Sequence, residues 1–395
     1  MARGPLIGMA AVLVIGSCAA PDRKAPFAEG VVRDAAWESV LTGGEGLTGG
    51  DGGASVLIPG GRVLWTLGDS LVGRVVEGRH GPGTAMVNNA IVVHPLQRPP
   101  DRPPPQASIE RMFGPDPRPG MHSAWLMPDG QAAPVENASA WYWPTGGAIV
   151  TGRGSDRPRL RLFYTRLTRR GGEAEGTVWN FHAQRSVLAV VENPGDEPAG
   201  WRVSQHDLGP IERDGRRINW GVAAVEADGL VYIFGIDDTV NLSKRAALAR
   251  VEGDRITDPQ HWSFWTGRDW SPDRNEAASI CERVTDELSI HCESGRWVMI
   301  HMEPNLGRRI MFRTAPELAG PWSDPRVVYE CPEPAEANHL MVYAARAHPE
   351  LSPDGSGDLI VTYAVNSTDF WHMLAHADLY RIRFLRVPAS FLAGL

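Results

Sequence analysis

The sequence predicts an all-β fold, a five-bladed β-propeller, and three observations carry that prediction. Helical periodicity is nearly absent from the 395 residues; the one candidate helical turn is the acidic segment Pro334–Asn338. Paired apolar runs of hairpin type recur five times along the chain. Glycine (43) and proline (32) punctuate these runs, as in proteins assembled from many short strands. Two β-sandwich domains are the structural alternative, disfavoured by the single-domain size and the fivefold recurrence.

The first pair is GGDGGASVLIPGGRVLWTLGDSLVG, Gly49 to Gly73. Apolar runs Ala54–Ile58 and Val63–Leu67 flank the turn signal Pro59-Gly60-Gly61, which reads as a β-hairpin. The later pairs are Ala140–Val150 with Leu160–Leu167, Asn219–Val225 with Leu230–Gly235, Leu288–Cys292 with Trp297–His301, and Val342–Ala347 with Asp358–Ala364. Their second strands centre near Trp65, Phe163, Tyr232, Val298 and Val361, at intervals of 98, 69, 66 and 63 residues. The Pro-rich connection from Gln97 to Gln131 lengthens the first interval. Further strand-like stretches follow each pair, giving units of about four strands. The closing strand is expected at Leu379–Val387, paired with residues near Val31–Trp37.

The first hairpin carries an aspartate at each open end, Asp51 and Asp69. A two-residue loop pairs Asp51 with Ser70 and turns the carboxylates to opposite faces; a three-residue loop pairs Asp51 with Asp69 on one face. In a propeller the start of each first strand and the exit of each second strand share one end of the channel. Asp51 and Asp69 are then expected there with Trp143 and Arg166, with Asn219, Trp220, Asp237 and Asp238, with Glu287, His291 and Glu303, and with Arg346, His348 and Asn366. Two close carboxyls push their pKa values apart, which supplies the acid and base of glycoside hydrolysis. Asp51 and Asp69 are therefore the expected catalytic pair, with Glu287 and Glu303 in reserve as a remote acid. Asn88, Trp143, Asn219, Trp220, His291, Glu303, His348 and Asn366 are the expected sugar contacts, because aromatic faces stack on sugar rings and planar polar groups hold hydroxyls. Each also has a structural reading as a strand-end or core residue.

Composition narrows the partners. A formal net charge of −8 without a basic patch speaks against nucleic acid. Arg3, the apolar run Leu6–Ile15 and the closing Ile15-Gly16-Ser17-Cys18 form a targeting segment too short to span a bilayer as a mature helix. Small residues before Cys18 resemble a bacterial lipobox, with Cys18 as the lipidation site. The expected organisation is a lipoprotein signal peptide at 1–18, a tether at 19–30 and a propeller domain at 31–395. Such a protein is exported and held in the cell envelope, touching the membrane through its lipid alone. Cys281, Cys292 and Cys331 remain, and their spacing suggests no zinc site. Cys281 and Cys292 are the closest pair for a disulfide, whose formation stays open. No cofactor is expected, and a structural calcium ion in the channel stays open, since Asp237-Asp238 alone falls short of a calcium loop.

The run GDGGASVLIPGGRVLWTLGDSLVG, followed by MVNNAIVV, WYWPTGGAIV, NWGVAAVEADGLVYIFG, TAPELAGPWSDPRVVYECPE and ARAHPELSPDGSGDLIVTYAVNS, resembles secreted bacterial five-bladed propeller domains of unknown function numbered 4185 and 5005. The resemblance runs from about Gly43 to Arg386. The first of those groups is related to endo-acting D-arabinanases and lies near five-bladed propeller glycosidases. By that resemblance Asp51 and Asp69 match a carboxylate pair taken as catalytic, while no distinct acid maps where Asn219-Trp220-Gly221 stands. The expectation is a monomeric glycoside hydrolase acting on a cell-envelope or environmental polysaccharide, possible substrates including arabinan-like chains. The rival is a non-catalytic glycan-binding lipoprotein, and a third reading is a protein-docking disc.

Overall fold

A computed structural model of the chain describes residues 29–97, 102–115, 122–128, 140–152, 157–169, 180–240, 244–352 and 357–392. Cys18, the signal segment and most of the tether lie outside the described residues. The fold is all-β and propeller-like, with five antiparallel sheets of four or more strands. Each begins with a hairpin: β1 (Glu45–Ile58) with β2 (Arg62–Val76), β3 (Ala140–Thr151) with β4 (Arg159–Arg169), β5 (Arg216–Ala227) with β6 (Leu230–Asp237), β7 (Leu288–Glu293) with β8 (Arg296–Met302), and β9 (Leu340–Ala347) with β10 (Leu359–Ser367). The fifth sheet adds β11 (Ile382–Val387) and then the short strand Val32–Arg33 from the other end of the chain. Val32 pairs with Arg386 and Arg33 with Leu385, the expected closure.

Second strands are covered on both faces, and their sequence shows it. Val63–Leu67 is apolar but for Thr66, and every residue in it is buried. Five separate hydrophobic clusters lie between consecutive sheets, the last joining the fifth sheet to the first. In that last cluster Trp65 and Trp37 pack on Phe384 of β11. Fully burying such a side chain contributes about 1.5–3 kcal/mol. First strands touch in sequence, β1 on β3, β3 on β5, β5 on β7, β7 on β9 and β9 back on β1.

Four short α-helices decorate the sheets among the described residues: α1 (Ala35–Leu41), α2 (Glu333–Glu336), α3 (Phe370–Ala375) and α4 (Ala389–Leu392). α2 overlaps the acidic segment expected to turn. α1 and α3 have no sequence signal long enough to read, because each spans under two turns and is held by tertiary packing. Trp37, Val40 and Leu41 of α1 are buried in the cluster that closes the fold. Cys281 and Cys331 are buried, Cys292 is exposed, and all three are free thiols.

Candidate active site

Ile58 pairs with Arg62 across Pro59-Gly60-Gly61, so the three-residue loop is the one adopted. Gly60 and Gly61 have φ of +83° and +66°, the left-handed region that glycine enters at little cost. The ladder then slips between Gly50 and Gly52, and Asp51 leaves it opposite the Gly68-Asp69 bulge. Both aspartates therefore reach the same end of the channel, though not as a paired rung. Gly68 is required here, since a Cβ at that position would overlap Asp51 Oδ1.

Each carboxyl is half-buried and held by donors. Tyr343 Oη of β9 donates to Asp51 Oδ2 at 2.6 Å, and Asn366 Nδ2 of β10 donates to Tyr343 Oη at 2.7 Å. Tyr380 Oη lies 2.8 Å from both Asp51 Oδ2 and the Asp69 carbonyl oxygen. It carries one proton for two acceptors. A protonated Asp51 can donate to Tyr380, which then donates to the Asp69 carbonyl, so this geometry accommodates the acid form. Asp69 Oδ1 accepts from Asn88 Nδ2 at 3.1 Å and from Trp143 Nε1 at 2.7 Å. Its Oδ2 has no hydrogen-bond partner among the described residues.

Burial, and then the charge of Asp69, pushes the Asp51 carboxyl up to about 7. Burial pushes Asp69 up to about 6. Glu287, one residue before β7, is pushed up to about 7, chiefly by burial and then by Asp286. The charge of Asp51 also raises Glu287, so three carboxyls with raised proton affinity share one neighbourhood. Tyr343 and Tyr380 are held well above the usual phenol range by burial and by Asp51, and stay protonated.

Arg346 of β9 forms the floor. It is 3% exposed and its guanidinium donates to the carbonyls of Leu288 (2.5 Å), Thr145 (2.9 Å) and Val222 (3.3 Å), one in each of β7, β3 and β5. Gly146 permits this approach, because a Cβ there would overlap the guanidinium. Burial lowers the Arg346 pKa to about 10, so it remains a cation at neutral pH. Beyond it a cavity of about 560 Å³ opens toward the opposite end of the channel, lined in part by Ser55, His291 and Glu350.

The raised pKa values fix the sign of one pH effect. In the unfolded chain an aspartate titrates near ~4. Between about 4 and about 7 the folded Asp51 binds a proton that the unfolded chain has released, so its contribution to stability falls as pH rises through that window. Asparagine mimics the protonated form. The Asp51→Asn variant is therefore expected to gain stability relative to the parent as pH rises from 4.5 to 7, read as the difference between their thermal midpoints. A difference independent of pH would contradict the raised Asp51 pKa.

Asp51, Asp69, Asn88, Trp143 and Asn366 are thus brought together as the sequence suggested, and Glu287 joins them. Other expected contacts lie elsewhere. Trp220 is 2% exposed, packed on Trp262 and Phe264 inside the second core cluster, so it is no sugar platform. Asn219 is occupied by Thr165 and Ser186 of the neighbouring sheet. Glu303 pairs with Arg309 and ties a strand connection rather than facing the acids. His348 is fully buried, lies over the Trp65 ring at 4.5 Å, and is fixed by Ser55 and Thr362. His291 is 7% exposed and lines the opposite cavity. The reason for both histidines is strand direction: β7 and β9 start at the acids, so their last residues emerge at the other end. Asp237 pairs with Arg216 and Arg245, and Asp238 with Arg217, which occupies the tandem acids considered for calcium. Among the described residues no group of three or more His, Cys, Asp or Glu could hold a metal ion. Tyr343 and Tyr380 were not anticipated, and no pattern in the sequence marks Tyr380 as a neighbour of Asp51.

Fold and site together define a propeller-like protein with an acid-lined mouth. The chain belongs to the family described as a domain of unknown function, DUF5005, whose model matches residues 34–389. None of the curated proteins compared matches it. Among solved structures, a Bacteroides ovatus protein described as a candidate hydrolase aligns at TM-score 0.70 with 18% identity, covering 90% of this chain and 89% of that one. An exo-β-1,3-galactanase from Phanerochaete chrysosporium, in complex with galactose, aligns at TM-score 0.46 with 11% identity, covering 92% of this chain and 65% of that one. A Dyadobacter fermentans protein of unknown function aligns at TM-score 0.49 with 8% identity, covering 92% and 84%.

Proposed function

We propose that this protein is a glycoside hydrolase whose catalytic groups are the carboxyls at the channel mouth. The observation that carries the reading is the gathering of Asp51, Asp69 and Glu287, each with its pKa raised to between about 6 and about 7. Hydrolysis of a glycosidic bond needs one protonated and one ionised carboxyl near neutral pH, and groups tuned to that range are suited to both tasks. In this proposal Asp51 and Asp69 form a pair holding one proton between them, and the unengaged Oδ2 of Asp69 acts on water or on the sugar carbon. Glu287, which has no side-chain hydrogen bond among the described residues, delivers the proton to the leaving oxygen. Trp143 and Asn88 hold Asp69 in place, and the half-buried Trp143 ring offers a face to the sugar. The five sheets count in this proposal as five blades around the channel. The substrate is an envelope or environmental polysaccharide, with arabinan among those to be tried, and Cys18 anchors an exported, monomeric chain.

A panel of polysaccharides incubated with the purified protein, with reducing sugar measured, tests the reading. Release from at least one glycan, lost in Glu287→Gln but restored on an aryl glycoside whose leaving group needs no proton, is the expected pattern. No release from any glycan would overturn it. The alternative of a glycan-binding lipoprotein draws on one observation. Asp51 Oδ2 is occupied by two phenols and Oδ1 lies against Gly68, an arrangement equally suited to a rigid binding wall.

A further inference from the structure

We infer that the surface of α3 beside the mouth is a stacking ledge for a glycan chain running on from the sugar at the acids, so that the substrate is polymeric; this rests on the glycosidase reading. Helix α3 is inserted between two residues already tied to Asp51. Asn366, four residues before it, reaches Asp51 through Tyr343, and Tyr380, five residues after it, reaches Asp51 directly. The insert is fixed in place. Asp369 Oδ1 caps the helix by accepting from the His372 amide at 3.0 Å, Met373 packs on Leu71 and Tyr380, and the Ala377 amide donates to the Gly78 carbonyl at 2.9 Å.

The outer face of this rigid insert is aromatic. Trp371 is 77% exposed and Phe370 is 42% exposed, in edge contact with ring centroids 5.9 Å apart. Of the described tryptophans, Trp371 alone is exposed. Imidazoles continue the surface: His372 contacts His339 at 4.4 Å and His376 at 4.3 Å between centroids. Of the three, His376 is exposed and His372 and His339 are half-buried, with His339 Nε2 itself shielded from solvent. Leaving an indole in water forfeits its burial, and an isolated case is unremarkable. Here it sits with a second exposed ring and three imidazole edges, on an element pinned to the catalytic carboxyls. Flat apolar faces bordered by nitrogen donors and acceptors match the C–H face and hydroxyl rim of a sugar ring.

Affinity electrophoresis of the full chain in gels cast with arabinan, galactan or xylan tests the ledge, because it reads binding without turnover. With the glycan that retards the parent protein most, Trp371→Ala is expected to bind about tenfold more weakly, and Trp371→Phe to recover most of that loss. The same variant should raise KM for that polysaccharide far more than KM for its disaccharide. The side chain is exposed, so folding should be preserved. Equal retardation of parent and Trp371→Ala overturns the ledge while reducing-sugar release leaves the glycosidase reading standing. A parent that neither binds nor cleaves any glycan overturns both. A parent that is dimeric by light scattering and becomes monomeric in Trp371→Ala assigns the ledge to a protein interface and overturns the inference.

Discussion

Asp51→Asn is expected to lower turnover on a cleaved polysaccharide by roughly 10²–10⁴-fold, the range for loss of a general acid or base group. The substitution keeps the shape, and with the amide oxygen in the place of Oδ2 the two tyrosines keep an acceptor, so the fold should persist. Asparagine cannot take up the proton the pair shares, so Asp69, the group acting on water or on the sugar carbon, loses the partner that keeps it ionised while the pair holds one proton. Glycan affinity in the same variant should change little. An Asp51→Asn protein with near-parental turnover would remove Asp51 from the chemistry and leave Asp69 and Glu287 as the carboxyl candidates at the mouth among the described residues. A variant without turnover in either form, yet with parental binding, favours the glycan-binding reading.

Arg346→Met is expected to destabilise the protein by about 3–5 kcal/mol, measured by urea or guanidinium unfolding. Methionine keeps the unbranched stem but stops short of the guanidinium, so the effect combines lost donors with the volume the guanidinium filled. Three carbonyls, on β3, β5 and β7, lose a charged donor in a buried setting, where such a bond contributes about 1.5–3 kcal/mol net and the three do not simply add. Arg346→Lys should recover part of the loss, since an ammonium reaches fewer of the three at once. The pH profile should shift as well, because the Arg346 cation lowers the proton affinity of Glu287, and its removal raises the Glu287 pKa further. An unchanged unfolding midpoint would show that water replaces the guanidinium at the channel floor.

Local sequence was informative wherever the structure is local. The five hairpins are found where apolar runs flank Gly, Pro and Asp turns, from Ala54–Leu67 to Val342–Ala364, because strand pairing across a short turn depends on neighbours in the chain. Val63–Leu67, read as a hairpin strand, is buried along its whole length, and Val32–Arg33 closes on β11 near the expected residues. That Asp51 and Asp69 share one end of a hairpin was legible for the same reason, but the direct Asp51–Asp69 rung expected from a three-residue loop is replaced by bulges around Gly50–Gly52 and Gly68-Asp69. Trp220 and His348 were misplaced by the sequence reading for a shared reason: both required knowing which face of a strand meets which neighbouring sheet. A tryptophan serves equally well as core or platform, and nothing in Asn219-Trp220-Gly221 distinguishes them.

What the chain alone determined is therefore the alphabet of the fold: strands, turns, their recurrence, and an aspartate pair brought together by a turn of known length. What only the tertiary structure decided is the company those aspartates keep. Tyr343 and Tyr380 lie 292 and 329 residues from Asp51, and Arg346 spans three other sheets. Strand direction around the channel put Glu287 with the acids and His291 beyond the arginine. Hydrogen bonds and desolvation act through space at a few ångströms, whereas sequence patterns report only what lies a few residues away.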